Sequence, residues 1–221
     1  MIKAVLFDFD GLLLDTETTE FHSFRQLYRS YGQDIGIEEW SGWAGAVGVR
    51  EKACLRLEEL LGEPLAREEA MQVQQRMYGE LIAGQQLLPG VIDMLEDAKR
   101  IGLKIALASS ATSEWAVGYI RQYGIDHYFD VFQTRDGVGR VKPDPEIYLR
   151  ALDRLGVSGH EAIAFEDSPI GSQAATAAGI HCVVVPSAIT KGCVFNHAKL
   201  RLNCMLDMRL EQIIASVTAV A

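Results

Sequence analysis

The chain has 221 residues, 48% of them hydrophobic and 23% charged, with a formal net charge of −9. This length suits one large domain, or one domain carrying an insertion, with a substantial core. The acidic balance argues against nucleic-acid binding but leaves a small anionic substrate open, because a metal and a few local cations override the mean field.

Met1-Ile2-Lys3 leads straight into a strand-like run with no signal-peptide pattern. No stretch of 18 apolar residues predicts a membrane span. Cys54, Cys182, Cys193 and Cys204 show no paired spacing. They read as reduced thiols of a cytoplasmic protein, not as a disulfide framework or a zinc site.

The first element is an apolar run, Ala4-Val5-Leu6-Phe7, that delivers Asp8 and Asp10 and then breaks at Gly11. Two carboxylates two residues apart on an extended chain lean to the same side and repel each other, so they need a cation, a proton or both.

From about Glu17 to Gly84 no strand is predicted. Phe21, Phe24, Leu27 and Tyr28 recur at helical spacing over Glu17–Tyr31. Ile35–Gly48 reads as irregular, with a short helix over Ile37–Gly42. Arg50–Leu61 and Arg67–Ala83 are two further helices. This is a small helical module inserted after the acidic strand. Its Trp40 and Trp43 could line a pocket, but packing inside the module is the preferred reading.

Beyond Leu88-Pro89-Gly90 strands and helices alternate. Helices are predicted over Val91–Ile101, Thr112–Tyr123, Pro145–Leu155 (with Asp144 as N-cap), Ser168–Ala178 and Met205–Ser216. Strands are predicted over Leu103–Ala108, Tyr128–Gln133, Ala162–Phe165 and Cys182–Val185. Residues 186–204 have no clear pattern, and the last few residues are expected to fray. Apolar strands separated by helices imply a parallel sheet covered on both faces.

Sites in such sheets form beyond the carboxyl ends of the strands. Asp8 and Asp10, Ser109-Ser110, Lys142 and Glu166-Asp167 all fall there. Each has a plainer reading. Ser109 or Ser110 could cap the next helix, Glu166-Asp167 could favour a positive helix end, and Lys142 could be a solvated surface lysine. Together they make a consistent centre. The acids suit a hard cation such as Mg²⁺. Lys142 and Ser109 suit a phosphoryl group. Asp8 can attack phosphorus, while acidic neighbours let Asp10 hold a proton.

Asp8-Phe9-Asp10-Gly11-Leu12-Leu13-Leu14-Asp15-Thr16-Glu17, Leu107-Ala108-Ser109-Ser110, Val141-Lys142-Pro143-Asp144-Pro145 and Glu166-Asp167-Ser168-Pro169-Ile170-Gly171 occur in this order. On these four segments the chain resembles the haloacid dehalogenase-like hydrolase superfamily, in its beta-phosphoglucomutase-like subfamily with a helical cap. The resemblance implies a three-layer α/β/α Rossmann-like core with strand order 5-4-1-2-3. Residues 1–15 and 88–221 would form this core and residues 16–87 the cap.

By the same resemblance Asp8 becomes an aspartyl-phosphate, Asp10 is the general acid/base, and Ser109 and Lys142 bind the transferring phosphoryl group with Ser110 beside them. Mg²⁺ would be held by the Asp8 side chain, the Asp10 backbone carbonyl and Asp167, with Glu166 bound directly or standing behind. Family dehalogenases lack an acid at position 10. The expectation is a monomeric Mg²⁺-dependent phosphatase of a small phosphorylated metabolite, such as a sugar phosphate.

The alternative is a phosphosugar mutase. Beta-phosphoglucomutases carry a histidine where this chain has Glu20, and His22 stands two residues further on, which weakens that reading. In the cap, Arg50 of Gly48-Val49-Arg50-Glu51 resembles a loop arginine that can bind a second phosphate; an ordinary helix-start arginine is the alternative. Glu17 could shape a polar pocket, or it and Glu20 could simply stabilise a helix start. The five histidines make no metal-ligand spacing.

Overall fold

Ala4–Phe7 form β1, buried along its whole length. The computed structural model describes residues 1–43 and 48–219. Part of the expected irregular stretch (44–47) and the last two residues of the expected frayed end therefore lie outside the described residues.

The remaining strands are β2 (Lys104–Ala108), β3 (Val131–Gln133), β4 (Ala162–Glu166), β5 (His181–Val184) and β6 (Leu200–Arg201). The sheet is parallel throughout, in the order β3-β2-β1-β4-β5-β6. Its first five strands follow the expected order. The two-residue β6 is an addition, in the segment for which the sequence offered no pattern; two residues are too few to show a period.

The helices are α1 (Thr16–Ser30), α2 (Ile37–Ser41), α3 (Val49–Leu61), α4 (Arg67–Ile82), α5 (Val91–Arg100), α6 (Ser113–Gln122), α7 (Glu146–Leu155), α8 (Pro169–Ala177) and α9 (Leu210–Thr218). Three expectations are corrected. Residues 126–128 form a 3-10 turn, so the strand expected from Tyr128 begins at Val131. The terminal helix begins at Leu210, with a separate 3-10 turn over Met205–Asp207 whose backbone Asp207 secures by accepting from Asn203 N and Cys204 N. Pro145, not Asp144, is the N-cap of α7; Asp144 Oδ1 accepts from Glu146 N at 3.0 Å.

Side chains alternate across each strand, and here the two faces differ in size. Val5, Phe7, Ile105, Leu107, Ile163 and Phe165 face α5, α6 and α9. Ala4, Leu6, Ala106, Ala108, Ala162 and Ala164 face α7 and α8. The alanine-rich face lets the backbones of α7 and α8 lie close to the sheet. Phe7 and Phe165 stack in register across β1 and β4, with centroids 5.0 Å apart.

The helices α1–α3 and the start of α4 enclose a third apolar cluster around Trp40, Phe24 and Tyr28. Trp40 is almost fully buried there, in agreement with its reading as a packing residue. The two crossings between this module and the sheet run side by side, with Leu14 bridged antiparallel to Leu87 and Leu88 N donating to Leu13 O at 2.9 Å.

Candidate active site

The strands run parallel, so the chain leaves each one at the same edge, and that edge gathers Asp8, Ser109, Glu166 and Asp167 from β1, β2 and β4. Two glycines make the approach possible. Gly11 has φ +74°, and a Cβ there would lie 2.2 Å from Asp167 Oδ2. A Cβ on Gly171 would lie 1.9 Å from Glu166 Oε2. Asp15 caps α1 through Thr18 N at 3.1 Å, and Thr16 Oγ1 accepts from Gly11 N at 3.2 Å.

Asp8 Oδ1 accepts from Phe9 N at 2.8 Å and lies 2.9 Å from Lys142 Nζ. Both contacts fall on one oxygen, which leaves the lone pairs of Oδ2 free. Lys142 is buried, not solvated, and also bonds Glu166 Oε1 at 2.6 Å. Tyr148 of α7 donates its hydroxyl to the same Glu166 oxygen, and its ring lies 5.1 Å from Lys142 Nζ. Burial opposes the charge on Lys142, but Asp8 and Glu166 outweigh it and hold the ammonium above its ordinary value. Burial and the Asp8 charge push Glu166 up to about 7, against the pull of Lys142.

Asp10 accepts from Trp115 Nε1 at 3.0 Å. Burial and the neighbouring Asp8 raise its carboxyl to about 6, with the Trp115 bond pulling the other way. Burial, then Glu20 and Asp10, raise Glu17 to about 8. Glu20 itself accepts from Arg50 Nε at 2.6 Å.

A cleft of about 570 Å³ opens over these groups. Asp8, Asp10, Glu17, Arg50, Ser110, Lys142 and Asp167 line it, so most of the predicted residues meet in one place. Ser109 and Glu166 stand behind its wall, fully buried. Neither serine caps α6. That role belongs to Thr112, whose side chain accepts from Trp115 N. Ser109 Oγ accepts from Ala111 N at 3.0 Å, and the Ser110 hydroxyl is buried without a partner among the described residues.

Trp115, Tyr148 and Arg135 belong to this site and were missed in the sequence. Tyr148 falls among the apolar positions of α7 and reads there as packing. Trp115 and Arg135 stand shortly past the carboxyl ends of β2 and β3, and that position is the signal that could have found them.

Oxygens of Asp8, Glu166 and Asp167 lie within 4.8 Å of one another, all from buried residues. Asp167 Oδ2 is buried with no hydrogen-bond partner among the described residues. Burial, then the charges of Glu17 and Asp8, drive the Asp167 carboxyl well above its ordinary value. An all-oxygen donor set with one unsatisfied atom fits a hard divalent cation.

This fold and site are those of a known class. A family model described as haloacid dehalogenase-like hydrolase matches residues 2–179, and the chain belongs to that family. Among its relatives, a Bacillus subtilis protein named "Putative phosphatase YhcW" is 42% identical over 211 residues, covering 95% of each chain. The phosphorylated carbohydrates phosphatase of Thermotoga maritima is 36% identical, covering 81% of this chain and 82% of its own. A mutant of CbbY from Rhodobacter sphaeroides, solved in complex with xylulose-(1,5)bisphosphate, superposes with a TM-score of 0.72 at 29% identity, covering 94% of this chain and 96% of its own.

Proposed function

We propose that the protein is a Mg²⁺-dependent phosphatase of a small phosphorylated metabolite, a sugar phosphate by preference, acting through an aspartyl-phosphate on Asp8. The observation that carries this reading is the Asp8–Lys142 pair at the cleft floor, with Asp10 held two residues away in a protonatable state. The names of the relatives, phosphatases of phosphorylated carbohydrates among them, support it.

An Asp8 carboxylate oxygen forms a bond to phosphorus as the ester P–O bond breaks, and the leaving alkoxide takes the Asp10 proton. A water then gives a proton to the Asp10 carboxylate and attacks phosphorus. The P–O bond to Asp8 breaks, and inorganic phosphate leaves. Lys142 and the Ser109–Ser110 turn offset the charge of the transferring oxygens. Asp8 and Asp167, with the Asp10 backbone carbonyl, would hold Mg²⁺, which supplies charge neutralisation of the phosphoryl oxygens. Glu166 anchors Lys142 and Tyr148 through Oε1.

Residues 16–87 act as a cap that closes over the cleft, hinged at the Leu14–Leu87 crossing. The free state of all four thiols supports a reducing, cytoplasmic setting. Against a mutase, Glu20 takes up Arg50. The purified chain should release phosphate from an aryl phosphate only when Mg²⁺ is present, and Asp8→Asn should be inactive. Full activity in Asp8→Asn would overturn the mechanism.

A further inference from the structure

Three cations line the cleft: Lys142, Arg50 and Arg135. Lys142 is engaged by Asp8 and Glu166, and Arg50 by Glu20. Among the described residues, the Arg135 guanidinium is the one of the three with no hydrogen-bond or ion-pair partner.

Its backbone is nevertheless well held. Arg135 N donates to Ala111 O at 3.1 Å, which ties the segment after β3 to the segment after β2. Its neighbour Asp136, the nearest acid in sequence, accepts from Ser113 N and from Thr134 Oγ1. Arg135 therefore stands on the wall of the rigid sheet edge, beside the Ser110–Thr112 turn, with an unspent charge.

The same cleft is also lined by Glu17 and Glu20 from α1. A second negative group on a substrate is repelled there. The Arg50 charge is already shared with Glu20 through Nε at 2.6 Å, which weakens its pull on a second anion. A guanidinium presents a planar fork that matches phosphate and carboxylate alike.

We propose that Arg135 is a specificity-determining residue that binds a second oxyanion, phosphate or carboxylate, on the leaving part of the substrate. The preferred substrates are then phosphate monoesters that carry a second anionic group. This rests on the phosphatase reading of the cleft.

Calorimetric binding to the full chain carrying Asp8→Asn, in Mg²⁺, tests it with three probes: fructose 6-phosphate, fructose 1,6-bisphosphate and 6-phosphogluconate. One or both of the doubly anionic probes should bind on the order of 10-fold tighter than the monophosphate. Tight binding of the bisphosphate alone identifies a phosphate as the second group, and of the sugar acid alone a carboxylate. Adding Arg135→Gln should bring the ratio to about one, whereas Arg50→Gln should keep most of it. A flat ratio before Arg135 is changed overturns the proposal, as does a ratio that survives Arg135→Gln or is lost only in Arg50→Gln. Absence of turnover with Asp8 intact, alongside the expected ratios, would count against the phosphatase reading alone. Turnover alongside a flat ratio would count against the role of Arg135 alone.

Discussion

Ile189, in the segment after β5, is buried in the same apolar cluster as Trp40 of α2. The Ser41 hydroxyl lies 2.7 Å from Ile189 O and shares its one hydrogen with Ile37 O. The next residue, Thr190, donates its hydroxyl to Asp167 O at 2.7 Å. One short segment thus ties the helical module to the acidic centre. Ile189→Ala should cost about 2–5 kcal/mol, the range for emptying a buried aliphatic site, and should lower phosphate release by disturbing Asp167. Urea denaturation and steady-state kinetics check it; unchanged stability would show that this contact is not a packing contact of consequence.

Gly171→Ala should abolish most activity. The added methyl carbon would sit 1.9 Å from Glu166 Oε2, so Glu166 must move and Lys142 with it. Displacements of this kind cost on the order of 100-fold in rate. The loss should appear in kcat while circular dichroism still shows a folded chain.

Tyr148→Phe keeps the ring beside Lys142 and removes the hydroxyl that bonds Glu166. Leaving one buried carboxylate oxygen short of a donor should cost about 1–3 kcal/mol. The melting temperature reads this, and a variant as stable as the parent would show that the hydroxyl bond contributes nothing net.

Mg²⁺ should raise the melting temperature, since a cation that binds only the folded chain stabilises it by mass action. It should also satisfy Asp167 Oδ2. Asp167→Asn should lose this shift, and a shift of equal size in the variant would place the cation elsewhere.

Asp97 of α5 is buried and accepts from Arg100 and Arg209 at 2.9 Å each, and more weakly from Leu210 N at the start of α9. Burial opposes its charge, but these partners win and hold its carboxyl below the ordinary 3.8. A lowered folded value means stabilisation present above about pH 4 and lost as pH falls through the folded value. Asp97→Asn should therefore lose about 1–3 kcal/mol at neutral pH. The gap to the parent should narrow as pH falls below about 4 in urea titrations.

Much of the fold was legible because its signals are local. Alternating apolar strands and helices fixed the class, and glycines and prolines marked most boundaries within a residue or two. Where boundaries slipped, a side chain had competed for the backbone, as Asp207 did between the 3-10 turn and α9. The strand-end acids were legible because a parallel sheet makes every strand end point to the same place.

Tyr148, Trp115 and Arg135 are harder to read, because a site role for each depends on what lies near it in space. Tyr148 reaches Glu166 across 18 residues and Trp115 reaches Asp10 across 105. An aromatic at helical spacing reads as core until its hydroxyl or indole N–H is seen to meet a carboxylate.

The sequence by itself determined the class of the fold, the membership of the acidic centre and the chemistry those residue types can do. Periodicity and side-chain chemistry are properties of the chain. Only the tertiary structure decided which cleft cations are spent. Lys142 is held by Asp8 and Glu166 and Arg50 by Glu20, while Arg135 has no side-chain partner among the described residues. Charge pairing depends on distance through space, which the linear order of residues does not contain.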